Sequence, residues 1–99
     1  MEDKRHYPRV PIDVTLTCER PGAPPFQAAA KDISVGGVFL VSSEQPAFGT
    51  PITVVGRLPG AKKDVRLPGI VRWTKSDGFG VQFGLLGALE THLISELMK

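Results

Sequence analysis

"VPIDVTLTCE", residues 10–19, decides how the rest of this 99-residue chain is read. Val10, Ile12, Val14, Leu16 and Cys18 alternate with Pro11, Asp13, Thr15, Thr17 and Glu19. That period of two belongs to a half-buried β-strand, because successive side chains on a strand point to opposite faces. A strand with one apolar face needs further strands to pair with and a core to cover, and the sequence downstream supplies them. "RPGAPP" (20–25) is a turn by composition, and Phe26 to Ile33 read as a second strand, weakened by the alanine triplet 28–30. "SVGG" (34–37) reverses the chain into a short apolar run, Val38 to Val41.

A looser segment, 42–50, leads to a strand at 52–58, and "LPGAKKD" (58–64) forms the next hairpin loop. Val65, Leu67, Gly69, Val71 and Trp73 then alternate against Arg66, Pro68, Ile70, Arg72 and Thr74, with Pro68 predicting an edge position or a bulge. "KSDG" (75–78) turns the chain, Asp-Gly being a strong hairpin signal, and Phe79, Val81 and Phe83 share one face of a last strand. After Gly87, Leu89, Leu93 and Leu97, flanked by Leu86 and Ile94, recur at helical spacing through residue 98. Six short strands joined by Gly and Pro turns, followed by one amphipathic helix, predict an all-β barrel or sandwich. The helix either covers an open end or offers its apolar stripe to a partner.

Composition agrees with a single small domain. The chain is 41% hydrophobic and 22% charged, and its 11 Gly and 9 Pro favour a turn-rich fold over a helical bundle. A net charge of +2 is too weak to predict wrapping of a nucleic-acid polymer. One cysteine forms no internal disulfide, and no apolar run approaches the ~18 residues of a membrane span. No signal-peptide core opens the chain, so a cytoplasmic setting without a membrane partner is the expectation.

Upstream of the deciding strand, "MEDKRHYPR" (1–9) has mixed charge and no apolar period, which makes it an arm ahead of a domain spanning 10–99. Arg5 and Arg9 stand four apart in it, with Pro8 between them. Proline lacks the amide that a helix interior needs, so the two arginines sit on extended chain, their α-carbons up to roughly 14 Å apart at ~3.3–3.6 Å per residue. "DISVGG" (32–37) is the second cluster of interest. Taken alone it reads as a β-turn in which Asp and Ser bond nearby backbone and glycine supplies positive φ.

Together the two clusters can do more. A guanidinium is a planar fork that pairs with phosphate oxygens or with O6 and N7 of guanine, and it also stacks on bases. A carboxylate at Asp32 can accept from the N–H donors on guanine's other edge, Ser34 can donate to a phosphate, and Gly36 and Gly37 allow close backbone approach. That chemistry suits a guanine nucleotide carrying several phosphates.

At these positions the chain resembles the PilZ domains, which bind the bacterial second messenger cyclic di-GMP. The family signature is an RxxxR arm followed by D/NxSxxG; Arg5-His6-Tyr7-Pro8-Arg9 matches the first and Asp32-Ile33-Ser34-Val35-Gly36-Gly37 the second. "PRVPIDV" after the arm, and "GIVRW" followed by "GFGVQF", resemble the family's flanking phrases, so the likeness runs over nearly the whole chain. The resemblance implies a six-stranded antiparallel β-barrel with a C-terminal α-helix and no catalysis. It implies that Arg5 and Arg9 grip phosphate and the guanine Hoogsteen edge, and that Asp32, Ser34 and Gly37 bind from the barrel face. Lys4 stands where relatives often carry a basic residue that influences whether one ligand or a stacked pair is held. Trp73 is either near a guanine or a plain core residue. Where many members have an arginine two residues past the last glycine, this chain has Phe39, so one cationic contact is missing there.

The function that follows is a cyclic di-GMP receptor module: the arm folds over the barrel on binding and signals to a protein partner in motility, adhesion or regulation. A second reading, motivated by Phe39 and the helix stripe, is a docking adaptor of the same fold with weak or no nucleotide binding. A barrel binding single-stranded nucleic acid through Tyr7 and Trp73 fits the outline but not the modest charge. Other chemistries find little support. His6 and His92 lie at opposite ends of the chain without a carboxylate at ligand spacing, so neither a metal nor another cofactor is expected. Cys18 belongs to an apolar face with no evident basic neighbour and reads as a buried thiol. The glycines of "GFGVQFG" (78–84) alternate within a strand and do not form a phosphate loop. No serine, histidine and acid cluster points to a hydrolase.

Overall fold

A computed structural model describes residues 9–98. Six antiparallel strands, β1 (Val10–Arg20), β2 (Ala23–Ser34), β3 (Gly37–Val41), β4 (Pro51–Gly56), β5 (Val65–Lys75) and β6 (Gly78–Phe83), precede one helix, α1 (Ala88–Leu97). They close into a barrel in the order β1-β2-β3-β6-β5-β4, with Cys18 opposite Val54 in the pairing that seals it. The expected six-strand barrel with a C-terminal helix is therefore what the chain forms.

Alternation builds the core. Leu16 and Cys18 from β1, Ile33 from β2, Val38 and Leu40 from β3 and Phe79 and Val81 from β6 are all buried. The alanines that weakened the second strand as a sequence signal have a packing role: Ala28 and Ala30 point inward opposite Leu16 and Val14, so small residues face larger ones inside a narrow barrel. Burial pushes the Cys18 thiol up to about 12. Arg20 is close enough for its charge to pull the other way, a basic neighbour the sequence did not reveal, and desolvation outweighs it.

Three local readings are corrected by the pairing. The turn expected over 20–25 is confined to Pro21 and Gly22, and β2 already begins at Ala23. Pro24 and Pro25 are tolerated there because the β2–β3 ladder starts only at Ala29, which leaves that side of β2 without a partner needing amides. Pro68 is likewise not on an edge strand, since the barrel has none. It lies one residue outside the β5–β6 ladder, which starts at Gly69 opposite Phe83, and its carbonyl accepts from the Gly84 amide (2.9 Å). The third correction concerns Trp73. A register shift between Val71 and Trp73 inserts a bulge in β5, and a bulge reverses the side-chain alternation beyond it. Trp73 thus leaves the inward set of Val65, Leu67 and Val71 and is 48% exposed.

Helix α1 sits at the barrel end that the antiparallel topology shares between the β2–β3 turn and the β4–β5 loop. Ile94, not the leucine series, is its anchor: it is fully buried in the core cluster, whereas Leu86, Leu93 and Leu97 are only partly buried against that cluster and Leu89 is exposed. No helix among the described residues is long and apolar enough to cross a membrane.

Candidate ligand-binding cleft

On the outer wall of the barrel, cross-strand neighbours form one continuous row: Asp32 on β2 is opposite Phe39 on β3, Phe39 is opposite Gly80 on β6, and Gly80 is opposite Trp73 on β5. Two bulges aim this row outward. The shift in β5 exposes Trp73, and a matching shift between Ala30 and Asp32 in β2 brings Lys31 and Asp32 both to the surface. Gly80 gives the row its depth. A β-carbon there would stand 2.2 Å from Cε3 of Trp73, so the absence of a side chain lets the indole lie down over the strand.

Around this row opens a shallow cleft of about 690 Å³, lined by Arg9, Lys31, Asp32, Phe39, Val41, Trp73, Lys75, Asp77 and Gly80. Three cations and two carboxylates thus surround two aromatic rings. Arg9, the last residue before β1, donates through Nε to Asp32 Oδ1 at 2.5 Å, and both side chains are about one-third exposed. That contact uses the inner edge of the guanidinium. Among the described residues the two terminal nitrogens make no hydrogen bond or ion pair, and their geometry suits a bidentate grip on phosphate or on a guanine edge. Lys31 is tied to Asp13 (3.7 Å), and the ammonium of Lys75 lies over the Phe39 ring, 5.3 Å from its centroid.

Of the residues expected from the sequence, Arg9, Asp32 and Trp73 meet in this cleft. Ser34, Gly36 and Gly37 do not line it. Ser34 is buried and its hydroxyl oxygen accepts from the Gly36 amide (3.0 Å), the local bond of the turn reading. Gly37 has no positive φ; its side chain is excluded because a β-carbon would stand 2.4 Å from the Val81 carbonyl oxygen. The D-x-S-x-x-G stretch therefore sets the β2–β3 reversal that holds Asp32 in place, with only its first residue in the cleft. Lys4 and Arg5 lie outside the described residues. Phe39, Lys31, Lys75 and Asp77 were not anticipated as site residues, because three different chain segments bring them together. In the sequence Phe39 signals a missing arginine and motivates the adaptor reading, and nothing there marks it as a wall of this cleft.

His92 does have a carboxylate within reach, Glu96 at 4.0 Å one helical turn on, contrary to the sequence reading. Among the described residues no group of three or more His, Cys, Asp or Glu side chains is placed to hold a metal ion.

The family model described as PilZ domain matches residues 3–98. The chain belongs to the PilZ domain family. No curated protein matches it in sequence. Among solved structures this PilZ domain resembles the inhibitor of motility MotI/DgrA of Bacillus subtilis, with a TM-score of 0.80 at 17% identity over 98% of this chain and 51% of that one. It also resembles the PilZ domain of CeSA from a cellulose-synthesizing bacterium (TM-score 0.72, 15% identity, 92% and 98% of the two chains). A third likeness is to Borreliella burgdorferi PlzA, solved in complex with c-di-GMP (TM-score 0.74, 17% identity, 98% and 42%). At these identities the likeness is one of fold. This chain spans about half of MotI/DgrA and less than half of PlzA, and nearly all of the CeSA domain.

Proposed function

We propose that this PilZ domain is a cyclic di-GMP receptor module. The observation that carries the reading is the Arg9–Asp32 pair beside the Phe39–Gly80–Trp73 row, a guanidinium oriented through its Nε next to exposed aromatic surface. Both signature motifs in the sequence support it, as does the ligand in the PlzA complex. Arg9 takes a phosphate or the guanine Hoogsteen edge, Asp32 keeps that fork in register, and a base stacks on the indole of Trp73. Arg5 and Lys4, on the leader, supply further positive charge to the anionic ligand. Ser34 and Gly37 act one step back, shaping the β2–β3 turn that holds Asp32 in the cleft.

The leader is the switch in this account. Fixing the backbone of each of its residues costs on the order of 1–2 kcal/mol, so the charged contacts to the phosphates have to offset several kcal/mol before the arm closes. Once closed, it presents a new surface to a cytoplasmic protein partner in motility, adhesion or regulation. The module binds and relays and performs no chemistry on the nucleotide. Calorimetric titration with cyclic di-GMP of the native chain, Arg5→Ala and Arg9→Ala tests this. Clear binding by the native chain, weakened in both variants, is expected; equally weak binding in all three rejects the reading.

A second reading, a docking adaptor for which the nucleotide matters little, is favoured by Leu85, just before the helix, and Leu89, in its first turn, which are 98% and 57% exposed. Partner capture that is unaffected by Arg9→Ala and by added nucleotide supports that reading; capture that requires either one contradicts it.

A further inference from the structure

Below the aromatic row runs a second set of cross-strand neighbours, with Val41 on β3 opposite Gly78 on β6 and Gly78 opposite Lys75 on β5. Gly78 has no side chain to fill the middle of this second row. A β-carbon there would stand 3.0 Å from Cζ of Phe39 and 2.2 Å from the Leu40 carbonyl oxygen. The gap is what lets the Lys75 stem cross from β5 toward β3 and set its ammonium 5.3 Å from the Phe39 ring centroid. Neighbouring strands lie about 4.8 Å apart, so this reach returns a positive charge across β6 to the strand next to Asp32 and its partner Arg9.

We propose that Lys75 is a further ligand-binding residue of the cleft: an ammonium held by the Phe39 ring that meets an anionic oxygen of the nucleotide. The inference rests on the reading of this cleft as a nucleotide site. Lys75 is exposed and makes no ion pair among the described residues, whereas Lys31, the other lysine of the cleft, is already beside Asp13. Asp77 lines the same cleft two residues on and is the one carboxylate besides Asp32 that faces it among the described residues. The charge is also placed usefully for a stacked base, since Trp73 lies two residues back on the same outer surface. The cation absent from residue 39 thus arrives from another strand, with Phe39 as its holder.

The test is calorimetric titration with cyclic di-GMP of the full chain and of Lys75→Met, Lys75→Arg, Phe39→Leu and the Lys75→Met/Phe39→Leu pair, each at low and at moderate salt. Loss of one charge-assisted contact weakens binding by about tenfold or more, so Lys75→Met falls by that factor and loses part of its salt dependence. Lys75→Arg stays within a few-fold of native. Phe39→Leu weakens binding by itself but adds little once Lys75 is methionine, the non-additivity expected of a residue that acts by holding another. Lys75→Met with native affinity and native salt dependence overturns the inference and leaves the receptor reading intact. Absence of binding by the native chain overturns both.

Discussion

The indole of Trp73 lies over Gly80: a β-carbon added at residue 80 would stand 2.2 Å from its Cε3. This contact makes the ring part of the cleft floor, and it can be broken without touching any charged group. Gly80→Ala forces the ring to move, and overpacking of this kind typically costs about 1–3 kcal/mol. Trp73 is the single tryptophan of the chain, so its fluorescence reports the displacement directly. The expected result is a shifted emission spectrum, a modest loss of urea stability and weaker cyclic di-GMP binding. Unchanged emission together with unchanged affinity would contradict the role given to the ring.

The Arg9–Asp32 pair is about one-third exposed on both sides, so water screens it and its worth to stability is about 0–1 kcal/mol. On the receptor reading proposed above its worth to ligand binding is larger, because Asp32 would fix the fork that the ligand meets. Asp32→Ala is therefore expected to leave urea midpoints nearly unchanged while lowering cyclic di-GMP affinity. A variant whose stability falls sharply with its affinity kept would show that the pair is structural.

Cys18 provides a pH-dependent prediction. Its thiol titrates at about 12 in the folded chain against an ordinary value of 9.0, because burial disfavours the thiolate. The unfolded chain loses this proton first, so the native state binds more protons between those two values and stability declines as pH rises through that window. Below it, Cys18 contributes no pH dependence. Urea unfolding of native and Cys18→Ala chains from neutral pH to about pH 10 should give a smaller alkaline decline in the variant, and thiol reagents should label the native fold only after denaturation. Rapid labelling of the folded protein at neutral pH would be inconsistent with this burial.

Ile94 anchors the helix to the barrel and lies away from the cleft. Truncating a buried isoleucine to alanine costs about 2–5 kcal/mol. Ile94→Ala should lower the urea midpoint substantially while the folded fraction binds nucleotide with native affinity. A loss of affinity in fully folded Ile94→Ala protein would indicate that the helix belongs to the binding site.

Much of the fold was legible because a period of two has a direct physical meaning. Val10 to Cys18 and Phe79 to Phe83 could bury one face only as strands, and both do. What escaped the pattern were the places where the ladder slips. Trp73 was grouped with Val71 because alternation cannot see a bulge, and Lys31 with Asp32 broke the same rule on β2. Those slips built the cleft, so the features that make the site are the ones that local periodicity misses. Arg9 and Asp32 were readable from their chemistry as candidate ligand-binding residues, but not as partners of each other. Phe39 and Lys75 were not, since their meeting depends on the strand order and on a glycine between them. The glycine of the turn at 37 was expected for its φ and is required instead by the nearby Val81 carbonyl.

Amide and indole chemical-shift mapping during titration with cyclic di-GMP tests the location of the site most directly. Saturable shifts centred on Arg9, Asp32, Phe39, Gly80 and the Trp73 indole N–H are predicted, with α1 and the β4–β5 loop unaffected. Shifts concentrated on the helix or that loop, or none at millimolar ligand, would contradict the account.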